Sequence, residues 1–546
     1  MSKTKITTTF SHLAVGVAAA LGTGWTLPSM AAETTWAGYV ENATYFRDGV
    51  GLSKFRNTGQ AQFETVFESD SFRRLKLNGT LRGTYDGVYD LNDDEFGRDS
   101  RHAYLGENWH DNSTLSSQAL LTPGVSFPCE NDPTLCNNLS GYMDHEEYEA
   151  KFPDFNDQLD FIRELYLSAD KELSNGDILS FRLGKQQVVW GKTDLFRVLD
   201  VINPVDYSRH NIYDELEDIR IPQWMLTAEW RMGPNTIFDD SNLSLVWNFD
   251  KFRPNNLGTC GQSYRMVDAG CFFASYLNAG PGIPIIHDVE DPDWSLANTQ
   301  LGLKWEGVYG DATFSLNALS YRQQMPSLHF RPNPDPALAG LPAFDGVFNI
   351  HFPRVNLLGG AIDYYSMDMD ATWRLELAYT EGEELPDDSG HHETDMLRYV
   401  IGMDKNIIIP ELGTRSAFLL STQLFGEHIL DHIDTMPNDE DNWIATVLFK
   451  GFYKNNRLSP QIIVAHDFAA KATVVAPSIS WAPDNHWMFN VALNVKTGGD
   501  ETFPWGVAQS VGDSRGQFEP TARFLNGPIG VANQEDELQF TIRYSF

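Results

Sequence analysis

Three features of this 546-residue sequence predict an all-β fold: a single transmembrane antiparallel β-barrel of the bacterial outer-membrane kind, with about 18 strands (16–18), short periplasmic turns and long extracellular loops. The first is strict period-two alternation, clearest at the C-terminus, where Leu538, Phe540, Ile542, Tyr544 and Phe546 alternate with Glu537, Gln539, Thr541, Arg543 and Ser545. The second is that the polar face of such strands carries charges of both signs at mid-strand. A packed soluble core rejects these unless they are paired, whereas a water-filled lumen accepts them. The third is that long connections fall on alternate positions along the chain. A soluble sandwich shares the alternation but has no reason to sort its loops by parity.

Taken in order, Lys3 and Lys5 precede an apolar stretch from Leu13 to Leu21 and then Ser29-Met30-Ala31. This reads as a signal peptide over 1–31, cleaved near Ala31 or Ala32, which directs export toward the outer membrane, and leaves 32–546 as the barrel. Strands are expected near 36–47, 59–69, 73–86, 158–170, 178–190, 221–232, 241–252, 297–307, 311–323, 356–367, 370–381, 394–405, 414–427, 441–453, 457–468, 470–482, 486–496 and 535–546, close to the ~10 residues that one crossing requires. Trp36, Tyr85, Trp443, Tyr453, Trp487 and Tyr544 stand at strand ends, where the membrane interfaces hold aromatic rings. The short connections include Ser174-Asn175-Gly176-Asp177, Lys454-Asn455-Asn456 and Pro483-Asp484-Asn485; the long ones are 87–157, 191–220, 253–296, 324–355 and 497–534.

The chain has 40 Lys and Arg against 75 Asp and Glu, a formal charge of −35, which excludes a nucleic-acid partner. Fifteen acids against three bases fall in 87–157, an acidic outer surface suited to divalent cations bridging it to lipopolysaccharide. The strand pattern points Lys76, Arg82, Arg182, Lys304, Glu306, Arg374, Glu376, Lys496 and Arg543 into the lumen. Cys129 with Cys136 and Cys260 with Cys271 are close pairs in loop-like sequence and predict two local disulfides; neither gap suits a zinc knuckle. His428, Asp431, His432 and Asp434, with His391 and His392, form a weak metal candidate that lacks a supporting shell, so no metal or cofactor is expected.

Two outer loops are apolar. Leu338, Leu341, Phe344, Val347, Phe348, Ile350 and Phe352 lie in one, and Phe272, Phe273, Tyr276, Leu277, Ile283, Ile285 and Ile286 lie in the other. Such clusters need cover, either as a plug packed on itself or as a capture site for a hydrophobic solute. In 191–220, Arg197, Asp200, Asp206, Arg209, Asp214, Glu215, Glu217, Asp218 and Arg220 provide for an ion-pair network if the loop folds inward. The expected gate or constriction therefore comprises Trp190, Lys192, Arg197, Asp200, Asn203, Asp206, Glu215, Glu217 and Arg220.

The stretch Gly184-Lys-Gln186-Gln-Val-Val-Trp190-Gly191, followed by Ile202-Asn203-Pro204-Val-Asp206, resembles the proteobacterial family known as domain of unknown function 1302. The resemblance is clear over 160–232. It implies an outer-membrane barrel, often encoded beside RND-type exporters, and traffic of hydrophobic or lipid-like molecules. The leading expectation is thus a barrel that transports or captures such a solute, with a diffusion porin for hydrophilic solutes as the alternative. An enzyme is not expected, since no Ser/His/Asp spacing suggests one. The expected partners are outer-membrane lipid and lipopolysaccharide, the barrel assembly machinery through the strand ending at Phe546, and an RND-type exporter system.

Overall fold

The structure, a computed structural model, describes residues 32–97, 147–193, 196–209, 216–258, 262–264, 286–332, 346–387, 390–436, 438–469, 471–498 and 536–546. The expected signal peptide, Phe272, Phe273, Leu341, Phe344, Glu215 and the cysteines Cys129, Cys136, Cys260 and Cys271 lie outside the described residues.

In chain order the described strands are β1 (Ala32–Arg47), β2 (Gly51–Phe67), β3 (Arg74–Asp86), β4 (Ile162–Glu172), β5 (Ile178–Gln186), β6 (Gln223–Arg231), β7 (Asp240–Asn248), β8 (Ile286–Glu290), β9 (Gln300–Tyr309), β10 (Ala312–Arg322) and β11 (Ser327–Pro332). They continue with β12 (Gly346–His351), β13 (Arg354–Ser366), β14 (Ala371–Asp387), β15 (Gly390–Ile407), β16 (Phe418–Ile429), β17 (Asp441–Lys450), β18 (Leu458–Asp467), β19 (Ala472–Trp481), β20 (Trp487–Gly498) and β21 (Glu537–Ser545). Apart from β8, β11 and β12, these form one 18-stranded sheet in which every strand pairs antiparallel with the next. The sheet closes where β21 returns to β1, from Tyr39 opposite Ser545 to Arg47 opposite Glu537. Closure satisfies every edge, which a bilayer demands because it offers no water to unpaired backbone groups.

Alternation decides the faces. Val40, Leu303, Leu316, Leu358, Leu377, Val491 and Phe540 are exposed on the outside, a surface stable only against lipid. Tyr309, Tyr364, Trp373, Trp481 and Trp487 ring the end that carries the short turns, and Trp443 stands at the opposite end, where its indole Nε1 donates to the Tyr399 hydroxyl at 2.7 Å. All five long connections leave from that second end, as the parity of the sequence requires.

Each expected strand has an observed counterpart, with four departures. β2 begins at Gly51, so a tight turn replaces the expected loop between the first two strands. β14 and β15 run to Asp387 and start at Gly390, so this hairpin is longer than its neighbours β13 and β16. β8, β11 and β12 build a small sheet from stretches expected to be irregular, in which β12 pairs antiparallel with β11 and parallel with β8. β5 ends at Gln186 rather than near 190, because the chain turns inward there.

That inward turn produces the main core, which lies inside the barrel. Trp190, Val198, Leu199 and Ile202 pack against inward side chains of the wall from β6 round to β19, among them Met225, Leu319, Val355, Leu357, Val400, Phe425 and Val474. Phe196 meets Phe425 edge-on at 4.9 Å between ring centroids. Full burial of a Leu or Ile contributes roughly 1.5–3 kcal/mol, so packing alone seats this segment firmly.

Candidate functional site

The chain leaves the wall after Gln186; two residues earlier Gly184, still in the ladder, has a φ of +145°, in a region that side chains avoid, and a Cβ there would collide with the backbone carbonyl of Leu165. Gln186 then donates to the Met225 carbonyl at 3.0 Å, and Trp190 is buried against Gly302 on β9. A Cβ at Gly302 would lie 2.5 Å from the Trp190 ring, so the glycine is the socket for the indole.

Asn203, fully buried, ties the two ends of the segment together: its Oδ1 accepts from the Val188 N–H at 2.8 Å, and its Nδ2 donates to the Ile221 carbonyl at 2.9 Å. The Ile221 N–H donates to the Pro204 carbonyl and the Asp206 N–H to the Ile219 carbonyl, so the Ile-Asn-Pro-Val-Asp turn runs back along the chain that returns to β6. Neighbouring connections lock on. The Val205 N–H donates to Asn255 Oδ1 at 2.9 Å, and Gln324 Nε2 donates to the Val201 carbonyl at 2.8 Å.

Electrostatics anchor the rest. Arg220 grips Asp200 with Nε at 2.8 Å and Nη2 at 2.5 Å, both side chains buried. Arg197 donates to the carbonyls of Asp200 and Asn203. Glu376, on the inner face of β14, accepts the Lys192 N–H at 2.5 Å, and Lys192 Nζ pairs with Asp363 on β13. Arg374 donates to the Lys192 carbonyl at 3.2 Å and pairs with Asp404.

On the opposite wall Arg82 meets Asp218 at 2.6 Å and Gln60 at 2.9 Å. A register shift between Thr80 and Leu81 leaves Arg163 unpaired in the ladder, and it donates to the carbonyls of Glu217 and Arg220. Of the charges expected in 191–220, Asp200, Asp206, Arg209, Asp218 and Arg220 are paired, in part with the wall, and Asp214 lies outside the described residues. Asp206 pairs with Arg209 at 3.2 Å, Arg209 continues to Asp154, and Glu217 contributes its carbonyl while its side chain is exposed. At the outer rim, burial pushes the Asp160 carboxyl up, but Arg253 and Lys185 outweigh it and hold it well below the usual carboxylate range.

The remaining expected lumen residues face inward as ion pairs or ring contacts. Lys76 bonds Glu64 at 2.7 Å, Lys304 bonds Glu306 at 2.6 Å, and Arg543 bonds Glu41 at 2.6 Å while lying over the Tyr39 ring. Arg182 faces the Tyr166 ring, and Lys496 is buried on β20. Phe348 sits in β12 opposite Phe330. His428 pairs with Asp441 and His432 bonds the Asn438 carbonyl, so each ring of the weak metal candidate has a partner of its own. Sequence reasoning missed Asp363, Arg163, Gln60, Asn255 and Gln324. Each comes from a different strand or loop, and no local pattern marks them.

A family model described as "Protein of unknown function (DUF1302)" matches residues 35–546. The chain belongs to that family. In this DUF1302 chain the Gly-x-Gln-x-x-x-Trp-Gly and Ile-Asn-Pro-x-Asp stretches are the exit hinge, wall anchor and clamp of the inserted segment. No curated protein sequence matches. Among solved structures, the outer membrane channel DcaP of Acinetobacter baumannii is 10% identical over 94% of this chain and 97% of its own, at a TM-score of 0.35. The Pseudomonas aeruginosa outer membrane protein opdK is 8% identical over 94% and 98%, at 0.43. OccK3 (OpdO) of the same organism is 9% identical over 94% and 95%, at 0.41. The barrel is established by the chain's own closed ladder.

Proposed function

We propose that this DUF1302 protein is an outer-membrane channel whose solute path runs between the inserted segment and the wall formed by β21 and β1 to β5, and that it passes polar or charged small solutes. One asymmetry carries the reading. The apolar inner wall is covered by the inserted segment, while on the uncovered wall Glu64 and Arg182 face inward and are reached by solvent, with Asp218 of the segment facing them. A path lined this way keeps hydrated solutes solvated and rejects apolar ones.

Capture of a hydrophobic solute is the competing reading, supported by the apolar composition of the outer loops and by the exporter association that the family resemblance implies. Against it, Ile350 and Phe352, two of the described apolar loop residues, are fully buried, with Phe352 packed on Phe252 at 5.0 Å. Reconstitution of the purified protein in planar bilayers separates the two. Stable ion conductance together with liposome permeability to small hydrophilic solutes supports the channel. A non-conducting barrel with co-purified lipid or alkyl detergent in its lumen overturns it in favour of hydrophobic capture.

A further inference from the structure

The long hairpin of β14 and β15 meets the small sheet of β8, β11 and β12 through three potential ligands far apart in sequence: His329, His351 and Glu384. β11 and β12 pair with Ser327 opposite His351, which places His329 and His351 diagonally on one face of the sheet, with ring centroids 4.6 Å apart. Glu384 comes from β14, positioned by paired bonds to Gln323: its N–H donates to Gln323 Oε1 at 2.9 Å and its carbonyl accepts from Gln323 Nε2 at 3.1 Å.

One carboxylate oxygen, Oε2 of Glu384, is the hub. His329 Nε2 lies 2.6 Å from it and His351 Nδ1 3.7 Å, and the three donor atoms all fall within 4.8 Å of one another. The Glu384 side chain is only 10% exposed. The separation to His351 is too long for a hydrogen bond, and His351 Nδ1 is buried with no hydrogen-bond partner among the described residues. His391 of β15 stacks on His329 at 3.7 Å and 7°, which holds that ring's plane.

We propose that His329, His351 and Glu384 form a transition-metal site, with Zn²⁺ as the probe ion, which fastens the small sheet to the β14–β15 hairpin at the outer rim. Two imidazoles and one carboxylate select zinc-class ions over calcium or magnesium, which prefer all-oxygen shells. Bonds of about 2.0–2.1 Å in a tetrahedral site put neighbouring ligand atoms about 3.3 Å apart. The His329–Glu384 separation therefore opens by less than about 1 Å when the bridging proton is replaced by the ion, and the His351 separation closes slightly. The ion also gives His351 Nδ1 the partner it lacks. A fourth position is left for water or an additional ligand.

The test is Zn²⁺ titration of the tag-free full-length mature barrel in detergent by calorimetry, alongside H329Q, H351Q and E384Q, with H428Q/H432Q as a control. One Zn²⁺ per chain is expected in the wild type and the control, with affinity at least about tenfold weaker in each single variant. X-ray absorption at the zinc edge is expected to show two imidazole nitrogens and carboxylate oxygen. Heat-modifiable gel mobility reports that each variant still holds its barrel, and the wild-type absorption spectrum tests the site even where a variant misfolds. No stoichiometric binding, unchanged affinity in folded H329Q and H351Q, or loss in the H428Q/H432Q control overturns the proposal.

Discussion

Replacing Asn203 by Ala tests the inserted segment as a separable unit. Asn203 is fully buried and bonds the Val188 N–H at one end of the segment and the Ile221 carbonyl at the other. Alanine leaves both backbone groups without that partner, at about 1–3 kcal/mol each, so the seated state loses about 2–6 kcal/mol. At about 1.4 kcal/mol per tenfold, even the lower figure raises the unseated population about thirtyfold. None of these bonds belongs to the barrel ladder, so the effect stays within 187–222. N203A is expected to fold to a barrel of wild-type heat stability, to show noisier and larger single-channel conductance, and to exchange amide hydrogens faster over 198–209. Conductance and exchange identical to wild type in folded N203A refute the reasoning, as does global loss of the barrel.

Further outcomes follow from the same geometry. Gly302→Leu fills the Trp190 socket, where even a Cβ lies 2.5 Å from the ring; the indole is displaced and conductance rises, as read in planar bilayers. Asp218→Asn removes the segment's charge opposite Arg82, on the proposed path and 41% exposed, so reversal potentials across a salt gradient shift toward anions; an unchanged potential places Asp218 off the path. Asp160 is held below its usual range by Arg253 and Lys185, and a depressed folded-state value adds stability above the unfolded carboxylate pKa. That contribution is lost as pH falls below about 4 through the folded value. Rim protection against acid protease is therefore expected to fail at a higher pH in Arg253→Leu than in wild type. Deleting Phe546, whose backbone N–H and carbonyl both bond Gly38, is expected to slow assembly and lower the yield of heat-modifiable barrel in outer-membrane fractions.

Strand number, order and the side each face presents were legible because alternation is a local property. A strand one residue out of register puts every apolar side chain into the lumen, and the lipid face of β21 or β20 does not tolerate that error. Loop parity was legible for a related reason, since an antiparallel meander returns to the same side after every second crossing. The inward segment was half legible: the charges and the Gly, Trp and Asn-Pro punctuation of 184–206 marked it, but their partners did not.

The sequence by itself determined a closed sheet of eighteen crossings with long loops at one end, because period-two patterning and crossing length depend only on neighbouring residues. Tertiary structure alone decided which wall the segment covers. Glu376 meets Lys192, Arg163 meets Arg220, and Gly302 receives Trp190 across separations that no local pattern encodes. The same holds for His329, His351 and Glu384, which converge only once two loop strands dock on a hairpin longer than its neighbours. Packing and charge pairing act through space, and closure of the barrel is what brings those residues within reach of one another.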